Sequence, residues 1–437
     1  MFTHLGLKNF RAFESLELDL ARITILVGPN NSGKSSILSA LRILAQTVRN
    51  EDYRIPLMLN GPFGEFGTYK DLVFQNEKER KIGIAIGTTI ARRGPSREVN
   101  LNLSFSYRSQ RREVILLESV LTDDAGRKVY STRGTHDPQK QIFEIFGLKN
   151  GSESTPALTR KSTRLIHFLA RPYTALGRFS STAKLSSEHT RAFMLADSAF
   201  NELIQGFRSM EYLGPFRAEP ARTNLFSGES PTSVGVDGAR AIDMLASDYL
   251  RRGRRKKELL NRVLRWLVKA SIAKDFKIRL LSDRHFEVLI QHPITQEFEN
   301  LADVGYGSSQ VLPVIAGGYN MPGDSTFVVE QPELHLHPAA QSELGDFFVD
   351  LYERKVNSII ETHSEHLILR LQTHVAQGRI RPQDFVVYFV YPSATNKTVV
   401  KLTLGDDGVF QQEWPQGFFE ERLKEVTALA RAPLGGD

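Results

Sequence analysis

The chain has 437 residues, of which 41% are hydrophobic, 24% are charged and none is cysteine. This is globular composition, long enough for about two to three structural units. It excludes wholesale disorder, a disulfide scaffold, a thiolate zinc site, an iron–sulfur cluster and a cysteine nucleophile. The net charge of +6 is too mild to argue for nucleic acid on its own.

Lack of cysteine fits a reducing, cytoplasmic setting. The first 20 residues carry charge every few positions and have no apolar core of signal-peptide length. The longest apolar runs, such as 385–391, fall far short of the ~20 residues a membrane helix needs. In chain order, residues 2–27 read as strands that stop at Gly28. Apolar positions Ile37, Leu38, Leu41, Ile43 and Leu44 then recur at helical spacing. Segments 81–90, 99–107 and 113–121 read as an antiparallel meander. Residues 122–163 are polar and turn-rich, 164–210 read mostly helical, and 237–270 is helical with an interruption at Gly253. Strands return at 276–290 and 325–329, a helix at 338–354, a strand and loop at 356–364, and a hairpin at 385–404. The expected class is α/β, with a mixed sheet, an antiparallel meander and a helical insertion. The boundaries expected are 1–121 and 276–437 for the two lobes and 122–275 for the insertion.

Gly28-Pro29-Asn30-Asn31-Ser32-Gly33-Lys34-Ser35 matches GxxxxGK[ST] in full, between an apolar strand and an amphipathic helix. In this motif glycines let backbone N–H groups close around phosphates at a helix N-terminus. Lys34 is expected to reach the β/γ-phosphates and Ser35 to ligate Mg²⁺, with Asn30, Asn31, Ser32, Gly33 and Ser36 completing the cradle. Later, the apolar strand 325–329 ends in Glu330-Gln331-Pro332-Glu333. An acid at such a strand end is where a nucleotide hydrolase holds Mg²⁺, and Glu330 takes that place. The next position, where a water-activating Glu is expected, is Gln331. A carboxamide orients water but cannot accept its proton. A register one residue earlier makes Glu330 the base and leaves Val329 in the metal position. Glu333 is the alternative base. The first register implies slow turnover and a long-lived ATP state.

These pieces in this order resemble the ABC-type ATPases of the SMC/RecF/OLD clade. The nearest likeness is to OLD-like bacterial AAA ATPases ending in a WPxGFF-like segment, here Trp414 to Phe419. The resemblance covers residues 1–75 and about 205–420, and it implies an ABC-type P-loop ATPase head using ATP and Mg²⁺. By position, it puts Asn9 and Arg11 near the nucleotide. Gln75 is either the glutamine that senses γ-phosphate beside the metal or a plain loop residue. Gly305-Tyr-Gly307-Ser308-Ser309-Gln310 becomes the signature, with Ser308 or Ser309 as donor to a second subunit, and His363 the switch histidine. Arg217 and Arg222 either line the cleft or serve the fold. The resemblance further implies a homodimer that closes on ATP and a separate effector protein, often a nuclease, in defence against phage. Only 74 residues follow His363, without a spaced acidic pair, so no nuclease is expected within the chain.

Two other constellations bear on function. His335 and His337, with His363 and His366, suggest a metal site, but Pro332 and Pro338 argue against the helix a zinc hydrolase needs. The basic run 251–257 is either a nucleic-acid contact or a solvated face. A DNA-clamping RecF-like ATPase is therefore the second reading. A transporter subunit is disfavoured, since 302 residues separate Gly28 from Glu330.

Overall fold

The computed structural model describes residues 1–90, 96–133, 142–146, 148–149, 152–153, 157–159, 163–172, 187–250, 257–392 and 397–413. The chain forms two compact units, one holding residues 1–20 and 35–210, the other mainly residues 21–34 and 211–393. Trp414–Phe419, Gly253 and all of the basic run except Lys257 lie outside the described residues. Among the described residues no helix is long and apolar enough to cross a membrane.

The first unit is built on an eight-stranded antiparallel sheet. Phe2–Phe10 lies between Phe13–Asp19 and Ile82–Ile90, and the sheet continues through Arg97–Arg108, Glu113–Asp123 and Lys128–Arg133. Alternation of buried and exposed positions along Arg97–Arg108 marks a sheet with one covered face. The helix Ser187–Arg208 packs there. Phe207 meets Phe2 at 4.7 Å between ring centroids, and Phe200 meets Tyr130 edge-on at 5.4 Å.

The second unit centres on a six-stranded mixed sheet. Thr326–Glu330, Asn357–Glu361, Ile23–Val27 and Phe385–Pro392 run parallel in that spatial order, and Lys397–Leu402 closes the edge antiparallel. Every residue of the first three strands is buried. Covered on both faces, they read as continuous apolar runs without alternation. The helices Tyr306–Asn320, Pro338–Glu353 and Glu365–Ala376 contribute to one core that includes Phe347, Phe348 and Leu371. A smaller antiparallel sheet holds Asp275–Leu280 and His285–Gln291.

The α/β class, the mixed sheet and the meander are as expected. The middle of the chain differs. Residues 122–163, expected as polar turns, supply Lys128–Arg133, Ile142–Ile145 and Ala157–Thr159 to the large sheet. Thr163–Ile166 and Leu169–Pro172 form a hairpin where helix was expected. These strands are short, so their letters carry too little alternation; pairing with distant neighbours sets their conformation. Helices do occupy Ser187–Arg208, Ala241–Leu250 and Glu258–Lys269.

Candidate nucleotide-binding site

Strand Ile23–Val27 delivers the chain to Gly28, whose φ is +141°. A Cβ there would lie 2.0 Å from the Val390 carbonyl oxygen, so this turn admits only glycine. Gly33 and Asn31 also take positive φ, +113° and +61°. Helix Lys34–Arg49 begins directly after the loop. Lys34 is 4% exposed. Its Nζ donates to the carbonyl oxygens of Gly28 at 2.8 Å and Pro29 at 3.0 Å, and lies 3.8 Å from Glu361 Oε1. Burial lowers the Lys34 pKa, while Glu361 and Glu330 act in the opposite direction. Asn30, Asn31 and Ser35 are exposed. The Ser32 hydroxyl is buried and has no hydrogen-bond partner among the described residues.

Two acids end neighbouring strands. Glu330 and Glu361 pair in parallel register, and the Gln331 amide donates to the Glu361 carbonyl at 2.7 Å. The Tyr212 hydroxyl donates to Glu330 Oε1 at 2.7 Å. Arg217 donates to the carbonyl oxygens of Glu330 at 2.8 Å and Gln331 at 3.1 Å. Burial lowers the Arg217 pKa to about 10, against the pull of Glu333 and Glu330. Gln331 turns the chain with φ +46°, a conformation that side chains other than glycine seldom adopt.

Glu333 folds back beneath this turn. Its Oε1 accepts the His363 amide at 2.7 Å, while its buried Oε2 has no hydrogen-bond partner among the described residues. Burial pushes the Glu333 carboxyl up, even against that backbone bond. His363 is half-buried, and burial, then the nearby Lys34 charge, lowers its pKa. The second unit thus brings Lys34, Glu330, Gln331, Glu333 and His363 together.

The remaining residues named from the sequence have these partners. Arg11 and Gln75 belong to the first unit. There Arg11 donates to Ser39 Oγ at 3.0 Å, whose hydroxyl donates to the Ser35 carbonyl at 2.6 Å. Asn9 donates to the Lys81 carbonyl at 3.1 Å. Gln75 takes φ +59° and accepts a long 3.4 Å bond from Arg80. Ser308 and Ser309 lie in the first turn of helix Tyr306–Asn320. They are 8% and 6% exposed, and a Cβ at Gly307 would meet the His335 carbonyl oxygen at 2.8 Å. The exposed end of that helix is its cap, Gly305. Arg222 is held by Asp303 at 2.8 Å. His337 caps helix Pro338–Glu353, its Nδ1 accepting the Ala339 amide at 3.3 Å, and His335 is exposed at φ +63°. Tyr212 and Glu361 were not singled out from the sequence. Glu361 carried a readable signal, an acid closing the apolar strand Asn357–Glu361 as Glu330 closes Thr326–Glu330.

The residues present suit a magnesium nucleotide. The loop is glycine-turned at a helix start, its lysine is buried against acids, and the Ser32 hydroxyl is an orphaned donor. Such a loop beside an acidic strand end defines a P-loop nucleotide-binding protein. The chain belongs to the AAA ATPase domain family, whose model matches residues 1–193 and 251–368.

Among curated proteins, the chain is 34% identical over 90 residues to the uncharacterized protein MJECL10 of Methanocaldococcus jannaschii, 19% of this chain and 41% of that one. It is 32% identical over 119 residues to structural maintenance of chromosomes protein 6 of Saccharomyces cerevisiae, 24% of this chain and 10% of that one. It is 48% identical over 46 residues to the DNA replication and repair protein RecF of Roseiflexus castenholzii, 10% of this chain and 12% of that one. The chain spans less than half the length of these relatives. Among solved structures, an SmcHead bound to the C-winged helix domain of ScpA aligns over 92% of this chain and 98% of its own, at 11% identity and a TM-score of 0.46. The Smc head domain with an extended coiled coil from Pyrococcus furiosus aligns over 98% and 99%, at 11% identity and a TM-score of 0.44.

Proposed function

We propose that this chain is an ATP-binding, slowly hydrolysing switch of the SMC/RecF-like type. The observation that carries this reading is Lys34, buried at the glycine-turned loop with Glu361 at 3.8 Å and Glu330 acting on its charge. The loop backbone and Lys34 would hold the phosphates, and Ser35 with Glu330 would hold Mg²⁺. When bound, Mg²⁺ neutralises phosphate charge. Tyr212 fixes one oxygen of Glu330, and Arg217 fixes the backbone from which Gln331 projects. Gln331 orients water without taking its proton, which favours a long-lived ATP state. His363 meets the γ-phosphate from the strand end next to Lys34.

Two heads close around ATP in this reading, an isologous arrangement in which nucleotide is read out as assembly. The signature Gly305 to Gln310 meets the second head, with Ser308 or Ser309 as donor. The separate effector and the role in phage defence rest on the resemblance of the motif set. Size-exclusion chromatography with light scattering, with and without ATP and Mg²⁺, tests the switch. Wild type gains a dimer with ATP and Lys34→Ala does not; assembly that ignores both nucleotide and Lys34 refutes it.

A second reading, an ATPase that clamps DNA, is favoured by the local matches to proteins named for chromosome maintenance and for DNA replication and repair. An ATP-driven, salt-dependent DNA shift would select it.

A further inference from the structure

Glu361 is 5% exposed and ends the strand that lies between those of Glu330 and the phosphate loop. Its in-register neighbours are Glu330 on one side and Leu26, two residues before Gly28, on the other. Like charges directly opposite on adjacent strands are unfavourable, and burial adds to the cost. The fold nevertheless keeps both acids here. Metal holding asks for one carboxylate at this place, and Glu330 fills that role with its Oε1 fixed by Tyr212. Glu361 instead turns to Lys34.

The three hydrogens of the Lys34 ammonium have three acceptors close by: the carbonyl oxygens of Gly28 and Pro29, and, at 3.8 Å, Glu361 Oε1. Glu361 thus draws on the charge that the lysine would otherwise offer to a phosphate. The Arg217 cation is held on the backbone carbonyls of Glu330 and Gln331, and the two carboxylates that act on Lys34 place negative charge at the floor of the loop. A bare polyphosphate meets that charge as repulsion and must also draw Lys34 away from Glu361. A polyphosphate already paired with a divalent cation meets it as attraction.

We propose that Glu361 is a gating residue that makes nucleotide entry conditional on a divalent cation, by holding Lys34 at the loop floor until cation-paired phosphate arrives. This rests on the nucleotide-binding reading above. It assigns Glu361 a positioning role through Lys34 rather than contact with the reacting atoms. Strand geometry alone does not call for an acid there, since Asn357–Glu361 pairs through its backbone on both sides.

Isothermal titration of the full chain with ADP, in EDTA and in Mg²⁺, measures the gate without hydrolysis. The quantity read is the ratio of the dissociation constant in EDTA to that in Mg²⁺. A large ratio is expected for wild type, falling by about tenfold or more in Glu361→Gln, the scale of one charge–charge interaction in a partly buried site. Glu361→Ser provides the same readout should the glutamine fail to fold, and circular dichroism checks both. An unchanged ratio in a folded variant overturns the proposal, as does equal weakening in EDTA and Mg²⁺, which marks a merely structural residue. Wild type that binds ADP in neither condition removes the nucleotide-binding reading itself, a failure distinct from an unchanged ratio.

Discussion

Arg217→Ala should loosen the acidic strand end more than any other single change there. The side chain is 7% exposed and donates to the carbonyl oxygens of Glu330 and Gln331. Its removal leaves two carbonyls short of a donor and takes a cation from between Glu330 and Glu333. Hydrogen bonds to a charged group contribute about 1.5–3 kcal/mol each. Against this stands the burial that lowers the guanidinium pKa to about 10, which offsets part of the gain. A net loss of about 3 kcal/mol follows, in line with breaking one side of a buried charged contact. At a urea slope of about 2 kcal/mol per molar, the unfolding midpoint should fall by about 1.5 M. Trp266 is a suitable reporter within the same unit, 3% exposed and donating to the Glu343 carbonyl at 3.0 Å. Arg217→Lys keeps a cation but cannot fork across two carbonyls, so it should recover about half the loss. A midpoint within about 0.3 M of wild type for Arg217→Ala would show that the turn is held by something else.

Further outcomes follow from charge and burial. Glu333 has its folded pKa raised above 4.5 by burial, so its contribution is fully present below 4.5 and is lost as pH rises through the folded value. Glu333→Gln should therefore flatten the decline of stability with rising pH above 4.5, measured by urea midpoints across pH. Asp346 behaves oppositely: burial pushes its carboxyl up, but hydrogen bonds from Arg370, Lys269 and His374 outweigh it and hold it below 3.8. That stability is present above 3.8 and lost as pH falls through the folded value. Asp346→Asn should lower the midpoint at neutral pH and weaken the acid dependence, and an unchanged acid profile would contradict the network.

The phosphate loop and the acidic strand end were legible because their chemistry is local. Gly28 to Ser35 sit consecutively, so the loop they form is met within one turn, although the Val390 carbonyl that admits only glycine at 28 comes from the distant strand Phe385–Pro392. The central strands were legible as unbroken apolar runs. What sequence could not show depends on partners far along the chain. Tyr212 and Arg217 reach Glu330 and Gln331 across more than a hundred residues; Arg217 stood open between cleft and fold, and nothing beside Tyr212 announces its contact. The strands 128–133 and 157–159 are specified by the sheet they join more than by their letters.

The central claim is that Gln331 makes this site a slow switch. Steady-state phosphate release from wild type, Gln331→Glu and Glu333→Gln tests it most directly. General-base catalysis is worth about 10²–10⁴-fold, so restoring the acid should raise the rate at least several-fold and toward that range. Glu333 already gives one oxygen to the His363 amide, so its loss should matter less to the rate. An unchanged rate in Gln331→Glu, together with abolished turnover in Glu333→Gln, would make Glu333 the base and contradict the account.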